Sequence, residues 1–220
     1  MELLTMRIAS SSSRFAYTAC FTIAMFVAST ANSADEPTWK SLFDGKSLEG
    51  WKITNFGGEG DVEVKDGTIV MEFGSSLTGI TYTGEFPKTN YEISLEAMRM
   101  DGNDFFCGLT FPVEESFCSF ILGGWGGAVV GLSSIDGHDA SENETTQYKR
   151  FESEQWYKIR LRVTPERIQA WIDDKVWVDQ DIVGRKISTR SEVNLSKPFG
   201  ISAYETRSAL RKLQIRDLPK

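Results

Sequence analysis

The chain has 220 residues, with 24 Lys or Arg against 31 Asp or Glu, a formal charge of −7, and 40% hydrophobic residues. That length and apolar share support one domain with a real core, while the acidic balance argues against nucleic acid or an anionic membrane as partner. One histidine and three cysteines leave no zinc-type spacing, and there is no phosphate loop and no serine elbow.

In chain order, Arg7 and Arg14 precede an uncharged apolar run over 15–28, and Ala31, Asn32 and Ser33 put small residues where a signal peptidase reads. The run is short for a membrane span. The expectation is a signal peptide over 1–33 and an exported chain, periplasmic or extracellular, that leaves the membrane after cleavage. The alternative is an uncleaved anchor. Residues 34–220 then form a single domain.

Trp39 and Trp51 bracket the turn Asp44-Gly45-Lys46, either as a plug on a sheet edge or as a binding feature. Val62 and Val64 alternate, Asp66-Gly67 turns, and 69–73 runs back, a hairpin signal. Residues 78–83 are strand-like and 90–100 form a long strand, with Tyr91, Ile93 and Leu95 on one face. Glu92 and Glu96 share the other face and read as solvated acids. Residues 104–111 and 116–122 follow as strands around a turn at 112–115. A register with Cys107 opposite Cys118 also sets Phe105 opposite Phe120. It permits a disulfide in an oxidising compartment, the alternative being two buried free thiols.

Gly123, Gly124, Gly126 and Gly127 frame Trp125, which leaves the indole little cover and makes it the first candidate to stack on a sugar ring. The polar segment 133–150 holds His138 with Asp136 and Asp139 beside it, then Glu142, Asn143 and Glu144. His138 is either a base or metal ligand, or an exposed loop histidine. The acids suit a hard cation by type but not by spacing, so the cofactor stays open, with a divalent metal as one option.

Residues 156–181 read as a three-stranded meander. Tyr157, Ile159, Leu161 and Val163 alternate with Lys158, Arg160 and Arg162, and Ile168, Ala170 and Ile172 alternate with Gln169 and Trp171. The expected register sets Leu161 opposite Ala170, Ile159 opposite Ile172 and Ile172 opposite Val176. It lays Arg160, Trp171 and Trp177 in one row, for sugar stacking or for cation–π packing on the outer face. Residues 199–204 and 210–217 close the chain as strands. Period-two alternation throughout predicts an all-β jelly-roll sandwich of two antiparallel sheets.

Trp39…Leu42-Phe43-Asp44-Gly45-Lys46…Leu48…Gly50-Trp51, then Val64…Asp66-Gly67…Ile69, resembles the opening of the 3-keto-disaccharide hydrolase family, also described as 3-keto-glucoside 1,2-lyase and 3-keto-2-hydroxy-glucal hydratase. Asn90-Tyr91-Glu92-Ile93…Glu96…Arg99, Trp156-Tyr157…Ile159, Ile168…Ile172-Asp173-Asp174 and Phe199-Gly200-Ile201 with Leu210-Arg211…Leu213…Ile215 resemble its later strands. The resemblance implies a concanavalin-like jelly roll that handles oxidised glycosides. The chain departs from the family pattern at 104–108, where members tend to carry Asn-Ser-Gly-Ile. It departs again at Ser202-Ala203-Tyr204-Glu205, where they tend to carry Gln and His.

The paired-carboxylate signature of β-glucanases, Glu-x-Asp-x-x-Glu, is absent. A 3-keto sugar asks for less, because the ketone acidifies the C2 proton. One base, one acid for the leaving oxygen and one group polarising the ketone then suffice. The catalytic candidates are His138, Asp136, Tyr204 and Glu205, and the substrate-binding candidates are Trp125, Asn143, Arg160, Trp171, Trp177 and Arg207. Two functions follow: an exported enzyme cleaving 3-keto-glycosides, or a non-catalytic carbohydrate-binding module on the same fold. The partner in either case is an oligosaccharide or oxidised glycoside.

Overall fold

A computed structural model of the protein describes residues 38–219; the expected signal peptide at 1–33 lies outside them. Among the described residues the strands are β1 (Lys40–Ser41), β2 (Trp51–Ile53), β3 (Val62–Lys65), β4 (Thr68–Met71), β5 (Leu77–Tyr82), β6 (Tyr91–Gly102), β7 (Cys107–Val113) and β8 (Ser116–Gly123). They continue with β9 (Val129–Ser133), β10 (Gln147–Tyr148), β11 (Trp156–Val163), β12 (Arg167–Ile172), β13 (Lys175–Asp181), β14 (Gly200–Tyr204) and β15 (Thr206–Asp217). The larger sheet runs β13-β12-β11-β6-β15-β4-β3 with β1 on β15, and the smaller runs β10-β9-β8-β7-β14-β5-β2. All pairings are antiparallel. This is the two-sheet jelly roll that the alternation predicts.

The core lies between the sheets. Tyr91, Ile93, Leu95, Ile159, Leu161 and Leu210 come from the larger sheet and Ile80, Leu109, Phe111, Phe120, Leu132 and Ile201 from the smaller, all buried. Side chains on a strand alternate between faces, so each inward set leaves an outward set of equal size. Much of the smaller sheet's outward set is small, with Gly79, Gly108, Gly131, Ser119, Ser133 and Ser202 set beside the larger Leu77, Ile121 and Tyr204. The 3₁₀ turn Ser191–Ser196 presses against that face, where Thr81 Oγ1 donates to the Leu195 carbonyl at 3.1 Å. A Cβ on Gly200 would sit 2.6 Å from the Ser196 carbonyl oxygen, so glycine is required for the approach.

The meander keeps two of its three expected pairings, with Leu161 opposite Ala170 and Ile159 opposite Ile172. The third is corrected. β13 holds one extra residue between Val178, which faces Ala170, and Val176, which faces Trp171. This bulge at Trp177 turns Val176 out to 49% exposure and keeps Val178 buried. The expected row is broken by it. Arg160 stacks on Trp171 at 3.7 Å, whereas Trp177 packs against the core edge under Lys175 and Lys149.

The cysteine register is also corrected. The β7–β8 turn is only Glu114-Glu115, with Glu114 at φ 51°, so Pro112 remains in the strand opposite Phe117. Cys107 therefore faces Leu122 and Cys118 faces Phe111, and both are buried free thiols. Four residues of stagger place them about 13 Å apart along the strands, beyond disulfide reach. Burial pushes both thiols up, Cys118 to about 12. Alkylation of the native protein is expected to be slow, and a chain beginning at residue 34 should titrate at two thiols once denatured. Finding no thiol under denaturant would restore the disulfide.

Glu92 is not a solvated acid. It is fully buried on the outer side of the larger sheet, where Arg160 Nη1 (3.1 Å), Arg162 Nε (2.7 Å) and Arg216 reach its carboxylate from both neighbouring strands. Arg160 also lies on Trp171 and Arg216 on Trp39, so the charges are roofed by indoles. Nearby, Glu96 pairs with Arg211 and Lys212, and Arg211 stacks on Trp156 at 4.0 Å.

Candidate functional site

The small outward side chains of the smaller sheet leave room above it for a cleft of about 320 Å³. Ser119 and Ile121 of β8 and Ser133 of β9 line it from the sheet, and Glu192 and Val193 of the 3₁₀ turn border it together with Arg190 just before that turn. Asp104, Phe105, Trp125, Leu77 and Tyr204 complete the wall. Phe105 and Tyr204 stack with ring centres 5.9 Å apart. Phe105 is thus a cleft residue rather than the core partner expected for Phe120, which faces Leu109.

Trp125 sits in the left-handed region, at φ 49° and ψ 56°, between Gly123 at φ 78° and Gly126 at φ 83°. Such a conformation costs a non-glycine residue roughly 1–2 kcal/mol, and the surrounding bonds hold it in place. Asp104 Oδ2 accepts the Gly126 N–H at 2.9 Å and Oδ1 accepts the Phe105 N–H at 2.7 Å. From the other side Arg99 Nη2 donates to the carbonyls of Gly127 (3.1 Å) and Gly123 (3.4 Å). The indole is held over the cleft edge and stays 43% exposed.

Tyr204 ends β14, and the chain passes to the larger sheet through Glu205, at φ 42°. The Glu205 charge, followed by burial, raises the Tyr204 phenol pKa, so its hydroxyl stays protonated at neutral pH. Across the cleft, Arg190 bonds Asp139 (2.7 Å) and Glu192 (2.8 Å). The Glu192 hydrogen bond is the main reason that the Arg190 pKa is raised, and Arg190 in turn holds Glu192 low. The cleft therefore offers three aromatic rings, a phenol donor, the Asp104 carboxylate and a second carboxylate, Glu192, paired with the Arg190 guanidinium.

The structure brings only part of the expected set together. Trp125 and Tyr204 share the cleft, with Glu205 adjoining Tyr204. His138 and Asp136 do not line it. They lie on an exposed two-residue turn, Asp136-Gly137, closed by Ile135 and His138 exchanging backbone hydrogen bonds at 3.0 and 2.9 Å. Asp136 is bonded to the Lys186 N–H and to Arg185, which hold its carboxyl low in that order. Asn143 donates to the carbonyls of Leu132, His138 and Asp139 and accepts from Thr145, so its amide is spent on folding the loop. Arg207 pairs with Glu72 at 2.8 Å, and Arg160, Trp171 and Trp177 belong to the larger sheet. Among the described residues, no three His, Cys, Asp or Glu side chains gather to hold a metal ion.

Asp104, Phe105, Arg190 and Glu192 were not among the expected site residues. A signal for the first two existed, since they open the 104–108 segment where the chain departs from the family pattern. Arg190 and Glu192 carried none, sitting in a polar connection whose path over the sheet only the fold reveals.

Solved structures share the fold at low identity. A laminarinase from Flavobacterium sp. UMI-01 matches with a TM-score of 0.52 at 12% identity, over 83% of this chain and 100% of that one. The carbohydrate binding module CBM66 from Bacillus subtilis matches with a TM-score of 0.50 at 11% identity, over 76% and 96%. A protein of Parabacteroides distasonis ATCC 8503 assigned to the glycosyl hydrolases matches with a TM-score of 0.53 at 14% identity, over 82% and 94%. No curated protein sequence matches the chain. The fold is thus one used both by carbohydrate-cleaving and by carbohydrate-binding proteins. With residues 38–216 matching the family's sequence profile, the chain belongs to the 3-keto-alpha-glucoside-1,2-lyase-like domain family.

Proposed function

We propose that this is an exported protein that cleaves 3-keto-glycosides in the cleft over its smaller sheet. The observation that carries the reading is the convergence of Trp125, Phe105 and Tyr204 with Asp104 and Arg190 in one cleft. Flat rings suit the faces of a pyranose, and the polar groups supply what elimination requires. The base removes the C2 proton, which the C3 ketone acidifies. The C1–O bond then breaks and the leaving oxygen takes a proton. Water adds to the resulting 2-hydroxy-glucal and gives the free 3-keto sugar. Asp104 is the candidate base, Tyr204 the candidate acid, and Arg190 the group that polarises the ketone. Export rests on the sequence of residues 1–33.

The second reading is a carbohydrate-binding module. It is favoured by how fully the polar groups are engaged, with Glu192 tied to Arg190 and both Asp104 oxygens tied to backbone N–H groups. Incubation with 3-keto-trehalose and 3-keto-sucrose, with and without a chelator, separates the two. Released 3-keto-glucose supports the enzyme. Sugar binding without any product leaves the module.

Trp125→Ala is expected to weaken sugar binding roughly tenfold, about 1.4 kcal/mol, from the loss of a stacked ring. The melting temperature should barely move, because the half-exposed indole contributes little packing and alanine is no worse placed at that φ. A drop of several degrees would mark Trp125 as a core residue.

A further inference from the structure

A second groove, of about 310 Å³, borders the same glycine loop at Gly126 and Gly127 and is lined by three cations, Arg99, Lys149 and Arg150. Although the chain carries a net charge of −7, this cluster has a single ion pair among the described residues, Arg150 with Glu152. Arg99 is only 6% exposed, yet its guanidinium bonds four backbone carbonyls, those of Asp104, Gly123, Gly127 and Phe151, and no carboxylate. Its Nε has no hydrogen-bond partner. Asp104 attracts this charge from nearby but spends its oxygens on two N–H groups.

Lys149 forms no ion pair with any described residue. Its ammonium instead lies over the rings of Tyr157 (5.0 Å), Phe151 (5.3 Å) and Trp177 (5.9 Å). Arg150 has a single exposed partner, Glu152, at 2.9 Å. Beside these cations Tyr148 stands 71% exposed, a bare ring at the mouth of a positively charged groove. A guanidinium with no bonded carboxylate and an ammonium with no ion pair leave net positive charge that attracts an anion, and with Arg150 and Tyr148 open to solvent that attraction is screened by salt. An exposed ring next to them suits the face of a sugar.

We propose that this groove is a subsite for a carboxylate-bearing sugar, with Lys149 and Arg150 holding the acid group and Tyr148 stacking on the ring. Arg99 contributes its field and fixes the loop. The two sites meet at one residue, since Gly126 lines the groove while its N–H is held by Asp104 of the cleft. The subsite does not depend on cleavage. A failed binding test here leaves the 3-keto-glycoside reading intact, and the reverse also holds.

The test is a titration of the purified protein with D-glucuronate, D-glucose and sodium sulfate, read by the amide NMR shifts of Gly126, Gly127 and Lys149. Glucuronate is expected to saturate those shifts at least about tenfold more tightly than glucose, and roughly 0.5 M salt should weaken it. Lys149→Gln and Arg150→Gln should each weaken glucuronate about tenfold. Arg150 is solvent-exposed, so its variant cannot fail merely by unfolding. Tyr148→Ala should weaken glucuronate and leave sulfate unchanged. Equal affinity for glucose and glucuronate, or indifference to both cation variants, would overturn the subsite. Sulfate binding as tightly as glucuronate would overturn the sugar acid and leave a bare anion site.

Discussion

Glu92→Ala is expected to cost about 2–4 kcal/mol of stability, the largest loss from any single exchange on the outer side of the larger sheet. The carboxylate is fully buried, and three guanidinium groups depend on it: Arg160, Arg162 and Arg216. Burial on its own would raise the Glu92 pKa. The Arg162 and Arg216 hydrogen bonds and charges outweigh that, and the net result is a lowered value. Without the carboxylate, three like charges face one another beneath two indoles. Breaking a buried pair costs roughly 3–5 kcal/mol, and the figure is reduced here because the arginine side chains keep 18–34% of their exposure. A protein of this size should lose about 5–15 °C in Tm.

The same group sets a pH dependence of definite sign. Its folded pKa is depressed, so its contribution is fully present above the unfolded value, about 4.3, and is lost as pH falls through the folded value. Urea unfolding of the wild type and Glu92→Ala should therefore differ most near neutral pH and converge in acid. Parallel curves across that range would show that the arginines do not depend on Glu92.

How much of this was legible in the sequence depends on the range of the interaction. Alternation gave the strands and their inward faces, because a period of two is a local property. The Asp66-Gly67 turn is likewise local, and both its residues take positive φ, at 50° and 76°. Register was legible only where no extra residue intervened. Trp177 looks like any alternating strand residue, and its bulge depends on packing at the core edge that no neighbour in sequence announces. Pro112 suggested a break, but it lies opposite Phe117 in a strand whose turn starts two residues later. The glycines around Trp125 marked it as a ring with little cover, and the structure sets it 43% exposed at the cleft edge. Asp104 and Arg190 were not so marked, because their approach requires the segment before β7 and the connection before β14 to meet over one sheet.

Asp104→Asn is expected to lower kcat/KM for a 3-keto-disaccharide by about 10²–10⁴-fold, the usual worth of a positioned base. The difficulty is that Asp104 also anchors the loop, through Gly126 and Phe105. Asparagine retains a carbonyl acceptor for one of those N–H groups while losing the basic oxygen, so the loop should keep much of its hold. Asp104→Ala removes both functions. A base predicts that the two variants are nearly equally inactive, although only the alanine variant disturbs Trp125 fluorescence and sugar affinity. An anchor alone predicts an asparagine variant close to wild type and an inactive alanine variant. Tyr204→Phe supplies the complementary measurement. It keeps the stack on Phe105, so binding should hold while turnover falls, and most steeply for substrates with a poor leaving group, whose oxygen needs the proton most. Equal rates for Asp104→Asn, Tyr204→Phe and the wild type would remove this pair from the chemistry and leave the cleft as a binding site.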